Sequence, residues 1–396
     1  MSLSNRNITG VSMNPILDPE RGRVQITGIK AMQLQKHPQT LIKIETDVGL
    51  IGYGEAGTHG PIVRAHLEKE ILPLLKGQDP LEVELHYERM TTLQHPNMPN
   101  IPTISGVDIA LWDLAGKILD RPVSKLLTGR YREKVKLYTN TAPDNRSDKG
   151  ACHEWVQRLK EDPHGWQIVK VGFPLGEDVQ VGKPSRMLLP SEIRQIGQGF
   201  DNISEALGDA FDFIVHCHNE WDLPTAINAC QVLASCQPMW IEDPLPVPYD
   251  ETWKALKAAS PIRVITGEKL ELPRQFYSFL ANDALDAIHP DIVFAGGFTG
   301  CRRIAQLAEL FYIPVATHNI GSLIHTMATV HFAATVRDFV ATESRIGQGV
   351  FIEEMGQHDL NITDGYIQVP DRPGLGVELV EEGLKANLAQ GEPYWN

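Results

Sequence analysis

Residues 211–244 read FDFIVHCHNEWDLPTAINACQVLASCQPMWIEDP, and they hold one complete unit of the chain's architecture. A short apolar run closes on His216, an amphipathic stretch follows, and a second apolar run closes on Glu242. The next run, RVITGE at 263–268, closes on Glu268, so the two intervals are equal at 26 residues (242 − 216 and 268 − 242). Short apolar runs separated by amphipathic segments are the pattern of a parallel sheet whose strands are joined by helices. In a parallel barrel every strand presents its C-terminal end at one rim, so polar residues that close successive runs converge there.

The same pattern extends in both directions, through VKLYT at 135–139, QIVKVGF at 167–173, LDAIHPD at 285–291 and IPVATHN at 313–319. Upstream, Val24 to Ala56 alternates apolar and polar residues around Asp47-Val48-Gly49, which predicts a β-hairpin. Helical spacing follows at Ile62–Leu75 and Ser105–Leu119. The expectation is an α/β protein with three parts: an α+β capping domain over 1–134, a (β/α)7β barrel over 135–360, and a segment over 361–396 that returns to the cap.

Length and composition agree with two domains of a globular protein: 396 residues, 42% hydrophobic and 22% charged. A net charge of −14 opposes nonspecific binding to nucleic acid or an anionic membrane. An anionic substrate would need local positive charge. Five scattered cysteines without a CxxC pair predict a reducing, cytoplasmic setting, and neither a secretion signal nor a membrane span is expected.

Glu242 and Glu268, one βα unit apart, would be uncompensated charges at a barrel mouth. A shared hard cation with oxygen ligands answers that, while a Lys or Arg neighbour for each is the plainer alternative. His216 and His218 are two apart, which on a strand puts both on one side. They are candidate ligands or proton carriers, or simply hydrogen-bonded histidines. Asp291 and His318 close the next two runs; a carboxylate that orients an imidazole and raises its basicity makes a general base. Glu353 and Glu354 close the apolar run VFIEEMG at 350–356, and strand alternation would turn only one of them inward, with Glu354 favoured.

These motifs together resemble the enolase superfamily, in its mandelate racemase branch and the acid-sugar dehydratases within it. The resemblance is carried by TLIKIETDVGLIGYGEA at 40–56, SGVDIALWDLAGK at 105–117, WIEDPLP at 240–246, GEKLE at 267–271, HPDIVFAGGFTG at 289–300, THNIGS at 317–322 and VPDRPGLGVEL at 369–379. It implies metal ligands at His216, Glu242 and Glu268, and a His318/Asp291 dyad that removes a proton α to a carboxylate while Mg²⁺ stabilises the ene-diolate. It implies His218 as the acid for the departing β-hydroxyl, giving a 2-keto-3-deoxy acid. Lys170 and Glu354 or Glu353 would contact the carboxylate, and Asn140 the hydroxyls. Loops Gly57–Pro61 and Gln94–Asn100 of the cap would close over the mouth with His59 and His95.

Two departures stand out. The first ligand is ordinarily Asp, and His216 is a softer donor that would favour Mn²⁺ or another divalent ion over Mg²⁺. Gly172 stands where racemases carry a second catalytic Lys, which disfavours two-base racemisation. An epimerase or cycloisomerase of the same fold, or a silent sugar-acid binder, are the alternatives. The implied partners are a small acid sugar and further copies of the chain.

Overall fold

The computed structural model describes residues 24–35, 40–92, 99–173, 187–218, 221–348 and 353–395. The alternating N-terminal pattern forms an antiparallel meander of β1 (Ile26–Gln33), β2 (Thr40–Thr46) and β3 (Ile51–Ala56). Gly49 turns β2 into β3 with φ of 80°, a left-handed conformation that costs glycine little. Helices α1 (Gly60–His66) and α2 (Leu72–Leu75) flank a π-helical turn at Leu67–Ile71, inside the stretch predicted as one helix. α3 (Val83–Thr91), α4 (Ile101–Leu119) and α5 (Val123–Leu127) complete the cap.

α4 begins where Asn100 caps it, accepting from the Thr103 N–H at 3.0 Å, and it ends on left-handed Asp120. It lies almost directly on β3. A side chain at Gly54 would sit 1.9 Å from the Gly106 carbonyl, so the contact exists only because both strand and helix carry glycine there.

Eight parallel strands follow: β4 (Lys134–Asn140), β5 (Ile168–Gly172), β6 (Asp212–His216), β7 (Ile241–Glu242), β8 (Val264–Thr266), β9 (Ala287–Ile288), β10 (Val315–Thr317) and β11 (Phe339–Ser344). Each pairs with the next, and β11 closes on β4 through Glu343 opposite Tyr138. Among the described residues, seven helices run between them: α6 (Lys149–Glu161), α7 (Pro190–Leu207), α8 (Leu223–Leu233), α9 (Glu251–Ala259), α10 (Leu272–Ala281), α11 (Gly297–Leu310) and α12 (Leu323–Thr335). This is the (β/α)7β barrel with an antiparallel-sheet domain that the sequence predicts.

The tail touches the barrel first and then the cap. Its hairpin, β13 (Ile362–Thr363) and β14 (Tyr366–Gln368), joins the barrel by pairing with β4. Another short pair links β12 (Gly356–Gln357) to β15 (Glu378–Leu379), ahead of α13 (Glu381–Ala386). The cap is reached by bridges of Leu34 with Leu388 and of Pro122 with Gly374, by ion pairs of Lys117 with Glu378 and of Arg64 with Glu392, and by Trp395 stacked on Tyr53. Leu375 N–H donates to Asp113 of α4 at 2.7 Å, and Ala389 N–H donates to the Gln33 carbonyl at 3.1 Å. Among the described residues no helix is long and apolar enough to cross a membrane.

One further correction concerns the end of the barrel. The last strand is Phe339–Ser344, whereas Glu353 and Glu354 sit on a 3₁₀ turn and are both exposed. On such a turn neither is held by strand alternation, and the inward carboxylate of the last strand is Glu343, wholly buried.

Candidate active site

Two layers of side chains fill the barrel, and period-2 alternation sets both. The lower is apolar and takes one residue from each strand: Tyr138, Ile168, Ile214, Trp240, Ile265, Ala287, Ala316 and Ala341. Two positions further along stand Asn140, Lys170, His216, Glu242, His289, His318 and Glu343. β8 alone is displaced by one, because Gly267 takes φ of 156° where a side chain would strike the His289 backbone, and Glu268 follows it. The result is a ring of chemistry above an apolar plug. It opens into a cavity of about 400 Å³ lined by Asn140, Lys170, His216, His218, Glu268 and His318, with Lys269, Glu271, Glu343 and Arg345 around them.

On the β6–β8 side, donor atoms of His216, Glu242 and Glu268 lie within 4.8 Å of one another. His216 Nε2 stands 3.7 Å from Glu268 Oε2, too far for a hydrogen bond. Both atoms are buried and without a hydrogen-bond partner among the described residues. Two carboxylates and an imidazole with donor atoms left over fit a divalent cation. Glu242 is engaged more fully: Oε1 accepts from Lys170 Nζ at 2.9 Å and Oε2 from Trp240 Nε1 at 3.3 Å. Burial would raise the Glu242 pKa, but Lys170, His289 and His216 outweigh it and hold the carboxyl well below its usual range. Asp243, equally buried, is likewise held low by His216 and His289 against the effect of burial.

His218 reaches the cavity by a route the sequence does not reveal. β6 ends at His216, and His218 is brought round by a left-handed turn, φ 61°, until its ring stacks on His216 with centroids 3.8 Å apart. Burial, then the positive charges of His216, Lys170 and Lys269, push its pKa down to about 4.

Across the ring the pairing is tight. His318 Nδ1 and Asp291 Oδ2 are 2.6 Å apart, and the two residues form an isolated parallel bridge past the ends of β9 and β10. Burial lowers the His318 pKa, but the charge of Glu268, the Asp291 hydrogen bond and the charge of Glu343 outweigh it and push it up to about 9. Glu268 is the largest of the influences that raise it, and a cation held by Glu268 would offset that charge and free the ring to accept a proton. Asp291 itself is held well below the usual carboxylate range, burial being outweighed by His325 and His318. Lys170 Nζ bridges Glu343 at 2.7 Å and Glu242 at 2.9 Å, and those carboxylates raise its pKa despite full burial.

Of the residues read from the sequence, His216, Glu242, Glu268, His218, His318, Asp291, Lys170 and Asn140 come together here. Glu353 and Glu354 do not line the cavity. His59 is exposed at the start of α1, 3.5 Å from the Gln33 side chain, and lies outside the cavity lining. His95 falls outside the described residues. Sequence reading missed Glu343, although FVATES at 339–344 is an apolar run closing on a carboxylate one βα unit after His318. It also missed Arg345, whose buried Nε has no hydrogen-bond partner and whose guanidinium has no ion pair among the described residues.

The Mandelate racemase / muconate lactonizing enzyme, N-terminal domain family matches residues 19–128, and the Enolase C-terminal domain-like family matches 156–383. The chain belongs to the mandelate racemase/muconate lactonizing enzyme family. Relatives within it include a D-xylonate dehydratase of Haloferax volcanii, 30% identical over 94% of this chain and 91% of that protein. A D-galactonate dehydratase of Pectobacterium atrosepticum is 29% identical over 89% of this chain and 92% of its own length. The structure of a mandelate racemase/muconate lactonizing enzyme-like protein from Rubrobacter xylanophilus superposes with a TM-score of 0.85, at 25% identity, covering 94% of this chain and 99% of that one.

Proposed function

We propose that the chain is a divalent-metal-dependent acid-sugar dehydratase that removes the α-proton of a sugar acid and expels the β-hydroxyl as water. The observation that carries this reading is that His318, paired with Asp291, shares one cavity with His218 and with His216 and Glu268, whose donor atoms lie within 4.8 Å of those of Glu242. The dehydratase relatives support it.

His216, Glu242 and Glu268 would hold the cation. When bound it supplies Lewis-acid stabilisation of the charge that develops on the substrate carboxylate. The chain's own groups do the rest. Lys170, fixed by two carboxylates, offers a buried positive charge toward the substrate carboxylate. His318 takes the α-proton on Nε2, its Nδ1 being held by Asp291. His218 in its imidazolium form gives a proton to the β-hydroxyl, which leaves as water when its C–O bond breaks, and the electron pair left at Cα forms the new double bond. The enol so formed becomes a 2-keto-3-deoxy acid. Arg345 supplies an unmatched positive charge at the β11 rim for the anionic substrate, which the net charge of −14 otherwise repels. Gly172 leaves no opposing base on β5, which disfavours racemisation.

The test is a library of aldonic and aldaric acids assayed for 2-keto product with Mg²⁺, Mn²⁺ and no metal. Metal-dependent product from at least one acid is expected. Exchange of the α-proton in D₂O without loss of water from any acid would instead make the chain an epimerase or a related isomerase.

A further inference from the structure

Asp291 serves two imidazoles. Its Oδ2 faces His318, while its Oδ1 accepts from the Val293 N–H at 2.8 Å and lies 3.1 Å from Nε2 of His325, without the alignment of a full hydrogen bond. His325 is wholly buried in the first turn of α12, as is Asp291 below it. Its backbone meets the capping domain. Glu55, at the end of β3 and also wholly buried, accepts from the backbone N–H groups of Ser322 and His325, each at 3.1 Å, and from the Ser322 hydroxyl, while neither His325 ring nitrogen has a hydrogen-bond partner among the described residues. Glu55 is the anion at the N-terminus of α12, where backbone donors and the helix dipole favour one. A side chain on Gly321 would lie 2.2 Å from His325 Nδ1 and 2.6 Å from Glu55 Oε1, so those two atoms converge on the space that glycine leaves open.

We propose that His325 is a positioning residue, a third member of the His318–Asp291 pair through which the capping domain sets the orientation of the base. Glu55 fixes the first turn of α12, that turn fixes the His325 ring, and the ring fixes the second oxygen of Asp291. A carboxylate held at both oxygens cannot swivel, and His318 keeps the direction in which its Nε2 faces the cavity. Partners at this remove from the reacting atoms change activity by about 10- to 100-fold in comparable sites. The inference rests on reading His318 as the base.

The test uses the full chain and two readouts. The first is the most downfield imidazole N–H resonance in the proton spectrum, assigned to the His318–Asp291 hydrogen bond by its loss in His318→Asn. It is expected to shift or vanish in His325→Leu, to persist in His325→Gln, which keeps a donor, and to move in Glu55→Gln from the other domain. The second is dehydration of D-xylonate or D-galactonate with Mn²⁺. His325→Leu should lower kcat by about 10- to 100-fold with KM unchanged, and His325→Gln should restore most of it. An unchanged resonance in His325→Leu and Glu55→Gln would overturn the proposal, as would a loss of kcat that glutamine does not rescue. If no acid sugar is turned over yet the resonance responds as stated, the dehydratase reading fails and the positioning role stands.

Discussion

The two sides of the barrel mouth are finished differently. On the β9–β11 side the reacting pair is held, Asp291 at both oxygens, His318 by Asp291, and Glu343 by Lys170, while the ring nitrogens of His289 and His325 and the Thr317 hydroxyl are buried without hydrogen-bond partners among the described residues. On the β6–β8 side, buried His216 Nε2, Glu268 Oε2 and Asp243 Oδ2 are left without hydrogen-bond partners among the described residues. Orphaned buried polar atoms cost on the order of 1–3 kcal/mol each, and only here among the described residues do they converge with the carboxylates of a candidate ligand set, within 4.8 Å of one another. The His318–Asp291 pair is held by the fold, while the other side offers donor atoms that fit an ion.

Breaking the held pair should cost most. Asp291→Asn leaves the shape but removes the charge that orients His318, and kcat should fall by about 10³- to 10⁴-fold, as a misoriented imidazole does in other carboxylate-supported sites. Steady-state kinetics with the best acid of the library would measure it, and a loss under tenfold would mean that Asp291 is not the orienting group. On the ligand side, His216→Asp adds charge and a hard oxygen, and Mg²⁺ affinity should rise by at least about tenfold in calorimetric titration. Equal or weaker binding would show that residue 216 is no ligand.

Arg345 sharpens the contrast from the rim. If it binds substrate equally in ground and transition states, Arg345→Met should raise KM about tenfold and leave kcat alone. A fall in kcat with unchanged KM would place it in the chemistry instead.

The smallest effect comes from a buried histidine away from both sides. His331 of α12 lies against Ser124 of α5, Nδ1 3.1 Å from the hydroxyl, and burial pushes its pKa down to about 3. Its stability contribution is complete above the unfolded value of about 6.5 and is lost as pH falls from there toward the folded value. Between pH 7.5 and 5.5 that amounts to about 1.4 kcal/mol. Urea denaturation at the two pH values should show a drop that His331→Gln reduces by about this amount. An equal drop in both proteins would mean that the ring titrates normally.

What the sequence disclosed follows from the same alternation. The equal spacing of His216, Glu242 and Glu268 was legible because one βα unit repeats without insertion between them. Glu343 was not, because α12 is buried on every side and its apolar residues run without contrast toward those of β11. The later run VFIEEMG looked the better strand. His218 was named for strand alternation, yet a left-handed turn beyond the strand brings it in. His325 carries no sequence signal at all: its importance lies in a carboxylate from another strand and another from another domain, which only the folded chain brings to it.

The central claim is that His318 takes the α-proton and His218 serves only the departure of the hydroxyl. Its most direct test is α-proton exchange in D₂O, followed by NMR beside product formation, for His318→Asn and His218→Asn with an acid that the wild type dehydrates. The account predicts that His318→Asn loses both exchange and dehydration. His218→Asn should keep measurable exchange while dehydration falls by a factor on the order of 10²–10⁴. Full exchange in His318→Asn would contradict the account and return the role of base to Lys170 or His218.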